Sequence, residues 1–192
     1  PAYSLGCYGI NSSFKHFYEQ IKGFYRIFTA SIQNCSPTTQ TFSLMITVSP
    51  VATRKELKEF TKFKIKLYAG NPYAVPPLYA DEREALLEGH NPALKVYDHQ
   101  VFLAKRDGKT VGRIVAIINH ISNRKTGKAC VRFGFIDFVE DFEVAKALIE
   151  TVEQWGRERG MEAIHGPLGF TDFDPEGMLI YGFDEVSTIA CL

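Results

Sequence analysis

Residues 130–138 read Cys130-Val-Arg-Phe-Gly-Phe-Ile-Asp-Phe138, a run of aromatic and β-branched residues with few charges. This composition is typical of a strand that is buried on one or both faces. The run leads through Val139-Glu-Asp-Phe142 into a polar and apolar mixture that ends at Gly160. We predict that this strand is central and that the sheet is built outward from it.

The segment after the strand has the period of a helix lying on a sheet. Its apolar stripe recurs at steps of three and four residues and consists of Val144, Ala147, Leu148, Thr151, Val152 and Trp155. Asp141 is a suitable cap for the helix, and Gly160 is a suitable stop. A short strand, 163–165, follows. Strand, helix and strand form a βαβ unit, so we predict parallel neighbours joined by a right-handed crossover.

The chain ahead of this unit predicts a regular series of elements. Thr53 and Glu56 form a capping box for a helix that reaches about Ala69. The other predicted elements are a strand at 45–48, a short helix at 81–87, hairpin strands at 100–105 and 110–119, and a polar loop at 121–128. The fold class is therefore α/β of the α+β type, with a mixed, mostly antiparallel sheet flanked by helices.

The composition of the chain limits which partners it is expected to bind and in which cellular compartment it is expected to act. The 192 residues carry 22 basic and 22 acidic side chains, so the formal net charge is zero, which argues against broad nucleic-acid binding. No run approaches the roughly 18 apolar residues of a membrane span, and we expect no membrane partner. The cysteines show no paired metal or redox spacing, so we expect no metal and a reducing, cytoplasmic setting; they are Cys7, Cys35, Cys130 and Cys191.

Residues 1–44 differ from the rest, because they are rich in aromatic, Ser, Thr and Asn residues and match no period of the predicted sheet. We interpret them as an amino-terminal extension that is either disordered or foreign to the native protein; the alternative is an aromatic interaction arm. Residues 45–192 then form the domain. We expect its sheet to be incomplete at the carboxyl end, where an open strand edge invites self-association.

The element order and several short motifs resemble the GNAT superfamily of acyl-CoA N-acyltransferases, and more closely an uncharacterised bacterial subgroup of it. The similarity covers roughly Ile46 to Ala190. The motifs that carry it are Val75-Pro-Pro-Leu78, Val111-Gly-Arg-Ile-Val-Ala116, Phe133-Gly-Phe135, Gly166-Pro-Leu-Gly169 and Gly177-Met-Leu-Ile-Tyr-Gly-Phe183.

The resemblance implies acetyl-CoA or another acyl-CoA as co-substrate, bound where the central strand feeds the helix. Backbone N–H groups there wrap the coenzyme pyrophosphate in the family. The corresponding residues are Phe138, Val139, Glu140, Asp141, Phe142, Glu143, Val144 and Ala145. Of the family's three motif positions, only Ala145 matches, whereas Glu140 and Glu143 place carboxylates near the pyrophosphate. Helix capping alone also accounts for these acidic residues.

The resemblance also implies a base and a proton donor for transfer of the acyl group to an amine. Asp137 on the central strand is a candidate base, although a solvent-facing Asp at a strand end is the alternative. His165 on the next strand is a candidate to work with it; the alternative is a buried His bonded to a backbone carbonyl. Tyr181 is a candidate donor near the thioester sulfur.

The resemblance and the departures from the family motif leave two alternative functions. The first is an N-acyltransferase acting on an amine of a small molecule, and the alternative is a catalytically inactive GNAT-fold module for binding or assembly. The exposed Lys58, Lys62, Lys64 and Lys66 of the first predicted helix are most simply a solvated face, and a patch that steers substrate is the other interpretation.

Overall fold

The computed structural model describes residues 8–9, 45–75, 78–171, 174–178 and 185–186, with Tyr8, Gly9 and Tyr79 described by their backbone alone. The strands are β1 Tyr8–Gly9, β2 Thr47–Pro50, β3 Tyr97–Arg106, β4 Lys109–Asn119, β5 Cys130–Phe138 and β6 Ala163–His165. The helices are α1 Arg54–Leu67, α2 Tyr79–Glu84, α3 His120–Thr126 and α4 Phe142–Arg157, with a 3₁₀ turn at Pro92–Lys95.

The strands form one sheet in the order β1-β6-β5-β4-β3-β2. β2 to β5 are antiparallel neighbours, whereas β5 and β6 are parallel and are joined through α4. The predicted fold class, a mixed and mostly antiparallel sheet flanked by helices, is confirmed, and β5 lies inside the sheet as expected. The incomplete carboxyl end stays a prediction.

The strand β1 was not expected from the sequence. Tyr8 pairs with Ile164 and Gly9 with Ala163, so the segment 1–44 contributes an outer strand next to β6. The strand could not be recognised in the sequence, because a strand of two residues is too short to show a hydrophobic period. The boundary at residue 45 stays a prediction.

The sheet separates two apolar cores. On one face, α4 packs on β4 and β5 over Ile114, Ala116 and Ile118. Trp155 is 8% exposed in this core, which confirms the predicted orientation of the helix. On the other face, Phe60 of α1 packs with Val115, Ile117 and Phe170. The alternation of β4 side chains between the two cores is the period of a strand buried on both faces.

The helix starts follow the predicted capping. Thr53 and Glu56 form the expected capping box at α1. Asp141 caps α4, where its Oδ1 accepts a hydrogen bond from the Glu143 N–H at 2.9 Å. In the described part of the chain, no helix has the length and apolar composition needed to cross a bilayer.

The predicted polar loop at 121–128 is wrong, because most of it is the helix α3. The Asn119 side chain accepts from the Ser122 N–H at 2.9 Å and so caps the first turn. Gly127 ends the helix in the left-handed conformation, with φ of 67°. Polar composition suggested a loop, whereas these two local signals fix a short helix.

A bulge interrupts β5 opposite β4. Arg113 pairs with Asp137 and Val115 with Gly134, so Ile114 faces two residues of β5. Phe135, in the bulge, has φ of 51°, which is uncommon for a non-glycine residue. The alternation of side chains changes at this point, and the residues that follow lie on the opposite faces from those that strict alternation would give.

Candidate functional site

The bulge places a buried ion pair between β4 and β5 on the α1 side of the sheet. Arg113 is fully buried, and its Nε donates to Asp137 Oδ2 at 2.8 Å. Its Nη1 donates to the Phe60 carbonyl at 3.1 Å, and the Phe60 ring lies under the guanidinium at 4.8 Å. Burial lowers the pKa of Arg113, but Asp137 and Glu82 outweigh it and raise the pKa, so the guanidinium stays charged.

Glu82 of α2 is the second carboxylate of this cluster. Its Oε1 accepts from Arg113 Nη2 at 2.7 Å. Its Oε2 is buried and has no hydrogen-bond partner among the residues that the structure describes. Two buried carboxylates therefore share one guanidinium, and one carboxylate oxygen remains for another donor. An unsatisfied buried acceptor of this kind is rare in proteins and requires an explanation.

Tyr68, just beyond α1, brings a hydroxyl to the same cluster. Burial of that hydroxyl, followed by the charge of Asp137 and a hydrogen bond to it, raises the pKa of Tyr68. The residue as a whole is 41% exposed, so its ring reaches the surface while its hydroxyl lies at the carboxylate. Tyr68 thus stays protonated at neutral pH, and its hydroxyl donates a hydrogen bond to Asp137.

An aromatic cluster lies beside the ionic one. The Phe170 ring stacks on Tyr97 at 6.3 Å and contacts Phe135 at 6.0 Å and His99 edge-on at 5.9 Å. Burial lowers the pKa of His99. The two clusters together give a charged group set in an apolar surrounding, where electrostatic interactions are stronger than in water.

The candidate catalytic residues are not brought together. Asp137 is in the ionic cluster and only 7% exposed, so it does not face solvent as the alternative interpretation supposed. His165 pairs with Arg132 on β5. Asp137 lies five residues beyond Arg132 on that strand, which is about 16 Å at about 3.3 Å per residue. Tyr181 lies outside the described residues.

The predicted coenzyme loop is an internally capped helix terminus. Asp141 accepts from Glu143 N–H and, through its other oxygen, from Arg106 Nη2 at 2.6 Å. Partial burial pushes the pKa of Asp141 upward, but Arg106 and the backbone N–H groups outweigh it and lower the pKa. Glu140 and Glu143 are exposed. A carboxylate thus occupies the position where a pyrophosphate would be held, and the loop as arranged does not fit that group.

The residues that complete the ionic cluster were missed from the sequence. Glu82 and Tyr68 gave no signal, because they come from helix segments far from β5 along the chain. Arg113 did give one, since it is the one charge within the apolar run from Val111 to Ile118. An arginine in such a strand predicts a buried carboxylate partner. In the described ranges, no group of three metal-ligating side chains comes together.

The fold is that of an α+β protein in which a mixed sheet contains one βαβ unit and a bulged inner strand. A buried cluster of one arginine and two carboxylates lies beneath the bulge. No family model matches the chain. It is similar to protein YghO of Escherichia coli, with 36% identity over 131 residues. It is also similar to the bacterial ceramide synthase of Caulobacter vibrioides, with 35% identity over 140 residues.

The matched regions cover 68% and 72% of this chain and 33% and 36% of those two proteins. The chain thus spans about a third of the length of these curated relatives. Among solved structures, it is similar to a tandem GNAT protein from the clavulanic acid biosynthesis pathway, at 15% identity. That match has a TM-score of 0.49 and covers 62% of this chain and 35% of the other.

Proposed function

We propose that the chain is part of an N-acyltransferase that moves an acyl group from acyl-CoA to an amine of a small molecule. The similarity to bacterial ceramide synthase supports this, since a ceramide is an amide of a long-chain amino alcohol. A long-chain primary amine is accordingly the acceptor class that we propose first.

The observation that carries the proposal is Glu82 Oε2, a buried oxygen that has no hydrogen-bond partner within the described ranges of the chain. A primary amine is an ammonium ion at neutral pH, and a carboxylate oxygen in an apolar surrounding both attracts that ion and accepts its proton. With Arg113 already bound to Asp137 and to Glu82 Oε1, the second oxygen of Glu82 is the one that remains for an acceptor.

The transfer balances with these groups. The ammonium gives one proton to Glu82, the neutral amine attacks the thioester carbonyl, and a C–N bond forms as the C–S bond breaks. The hydroxyl of Tyr68, which its raised pKa keeps protonated, is the proposed donor to the departing thiolate. The second proton that the nitrogen loses as the amide forms replaces the one that Tyr68 gives to the thiolate. Asp137 holds Arg113, and its proposed role changes from base to positioning residue. His165 and Tyr181 stay candidates only.

Two structural conditions go with the proposal. Glu82 Oε2 is buried, so the acceptor reaches it only after a local rearrangement that exposes this oxygen. The coenzyme loop 138–145 stays the proposed acyl-CoA region, but its amide donors become free only if Asp141 leaves the helix terminus.

The capped terminus of α4 supports the second candidate, a GNAT-fold module without catalysis that serves binding or assembly. Asp141 and Arg106 satisfy each other there without any ligand. A cytoplasmic setting is part of either proposal.

The experiment incubates the purified chain with acetyl-CoA or palmitoyl-CoA and a long-chain amino alcohol, and records thiol release together with the amide by mass spectrometry. The acceptor already acetylated on nitrogen is the control. We expect thiol release that depends on the free amine, with matching amide. No amine-dependent release with either thioester, together with no saturable CoA binding in calorimetry, would establish the non-catalytic module.

A further inference from the structure

The outer face of α1 carries cations alone. Lys55, Lys58, Lys62 and Lys66 are all exposed and recur at steps of three and four residues, so they form one line along the helix. We call these four residues the lysine line. Eleven residues separate its ends, which is about 16 Å at 1.5 Å per residue.

The carboxylates of α1 do not neutralise this line. Glu56 is turned back to the helix start, where its Oε2 accepts from the N–H groups of Ala52 and Thr53 at 3.1 and 2.9 Å. Glu59 is turned toward the sheet, where it accepts from Thr110 and pairs with Lys105 at 3.3 Å. The four lysines of the line have no carboxylate partner in the part of the chain described.

An ordinary solvated face mixes both charges, and α4 on the other side of the sheet shows this pattern. Its exposed positions include Glu143, Glu150, Gln154 and Arg157. The chain as a whole has a formal charge of zero. The lysine line is therefore a local concentration of one sign rather than a consequence of composition.

Exposed apolar side chains follow directly after α1. Tyr68 and Tyr73 are 41% and 40% exposed, and Val75 and Leu78 are 57% and 71% exposed. They fall within eleven residues of sequence. Large apolar and aromatic residues next to a basic helix face are the composition of segments that lie at the boundary of lipid headgroups and acyl chains.

We propose that α1, together with the exposed Tyr73, Val75 and Leu78 that follow it, docks on the surface of a bilayer that contains anionic lipid. The lysine line supplies attraction to the headgroups, and the exposed side chains of Tyr73, Val75 and Leu78 enter the interface. This replaces the expectation of no membrane partner, which rested on the lack of a spanning segment and does not bear on surface binding.

The two sides of α1 connect the docking face to the ionic cluster. The lysine line points outward, while the Phe60 carbonyl and ring contact Arg113 on the inner side. A helix with its side chains is about 10–12 Å across. Docking thus holds the cluster about one helix diameter from the lipid surface, where a long-chain amine would reside; this last step alone rests on the proposed function.

The test measures co-sedimentation of the chain with phosphatidylcholine vesicles, with and without about a third of phosphatidylglycerol. We expect binding that requires the anionic lipid and weakens with salt. Changing the lysine line to Gln removes four charges near the surface. At about fivefold per lysine, this weakens the apparent affinity at least a hundredfold.

A matched control changes Lys95, Lys109, Lys125 and Lys128 to Gln, four exposed lysines on other elements. We expect this control to retain most of the binding, and a Val75→Ser/Leu78→Ser variant to lose part of it even at low salt. Equal losses in the two lysine sets, binding that ignores anionic lipid, or no vesicle binding while short duplex DNA binds would each overturn the proposal. Acyl transfer is not measured, so failure here is separate from failure of the enzyme proposal.

Discussion

Arg113 is a full charge enclosed in the apolar interior, and its neighbours determine whether the fold tolerates it. Removing a charge from water costs several kcal/mol unless partners replace the lost hydration. Asp137 at 2.7 Å and Glu82 at 2.7 Å supply those partners, and the Phe60 carbonyl adds a third. Two carboxylates, those of Asp137 and Glu82, therefore face the single positive charge of Arg113.

Arg113→Met should destabilise the protein by about 3–5 kcal/mol, because it leaves two buried carboxylates without their cation. Urea denaturation measures the change in the free energy of unfolding. Arg124→Met, on the exposed side of α3, should cost well under 1 kcal/mol. Adding Asp137→Asn to Arg113→Met should recover part of the loss. If the double variant is as unstable as the sum of the single variants, the two residues are not coupled as described.

His99 should make the protein less stable in weak acid. Its native pKa is lowered by burial, so the unfolded chain binds the proton more readily than the native one. Its contribution is fully present above the ordinary value of about 6.5 and is lost as the pH falls through the lowered native pKa. Melting temperatures of wild type and His99→Gln, measured from pH 7.5 to 5, should converge toward the acid end. Parallel curves over this range would contradict the assignment.

At the scale of the element, β5 shows what the sequence predicts and what it does not. Its aromatic and β-branched composition identified the strand, and the apolar stripe identified α4. Strict alternation, however, places Phe133, Phe135 and Asp137 on one face. The bulge at Phe135 moves Asp137 to the α1 face, opposite Arg113. Nothing in the local sequence signals that shift, because it depends on how β4 and the segment after β6 pack against β5.

The Gly134 position explains two of the motifs quoted from the sequence. A Cβ atom there would collide with the backbone carbonyl of Leu168, and the Leu168 N–H donates to the Phe133 carbonyl at 2.7 Å. The Phe133-Gly-Phe135 and Gly166-Pro-Leu-Gly169 motifs are therefore in contact, and this close approach of two backbones requires glycine.

Gly134→Ala should accordingly cost at least the 1–3 kcal/mol that is typical of overpacking, because a backbone cannot move aside as a side chain can. Gly112→Ala is the comparison, since its Cβ would meet the side chains of Leu148 and Val144 at 2.9 Å. We expect the first variant to lose more stability than the second in thermal unfolding. The reverse order would show that the contact between the two motifs is looser than described.

At the scale of the whole molecule, the order of elements was predictable because each has its own period, cap or turn. The hairpin turn at Asp107-Gly108, with φ of 52° and 73°, is an example. The ionic cluster was not predictable, since it joins residues from α1, α2, β4 and β5. Residues 82 and 137 are brought together only by the way the helices cover the sheet. The sequence pointed to Asp137 as a candidate base because of its position on the strand. The structure shows that this side chain is buried, whereas the alternative interpretation had it facing solvent.

The central claim is that the spare carboxylate oxygen of Glu82 receives the acceptor amine, and kcat/KM for the amine measures it most directly. Glu82→Gln keeps the shape and an oxygen for Arg113 but replaces the charge. A hydrogen bond to a charged group is worth about 1.5–3 kcal/mol, so kcat/KM should fall about tenfold to a hundredfold or somewhat more.

The control is Glu84→Gln on the same helix, whose side chain is 45% exposed. It should leave kcat/KM within about twofold, a change of under 0.5 kcal/mol. Equal kcat/KM for wild type and Glu82→Gln, with matched melting temperatures, would contradict the account.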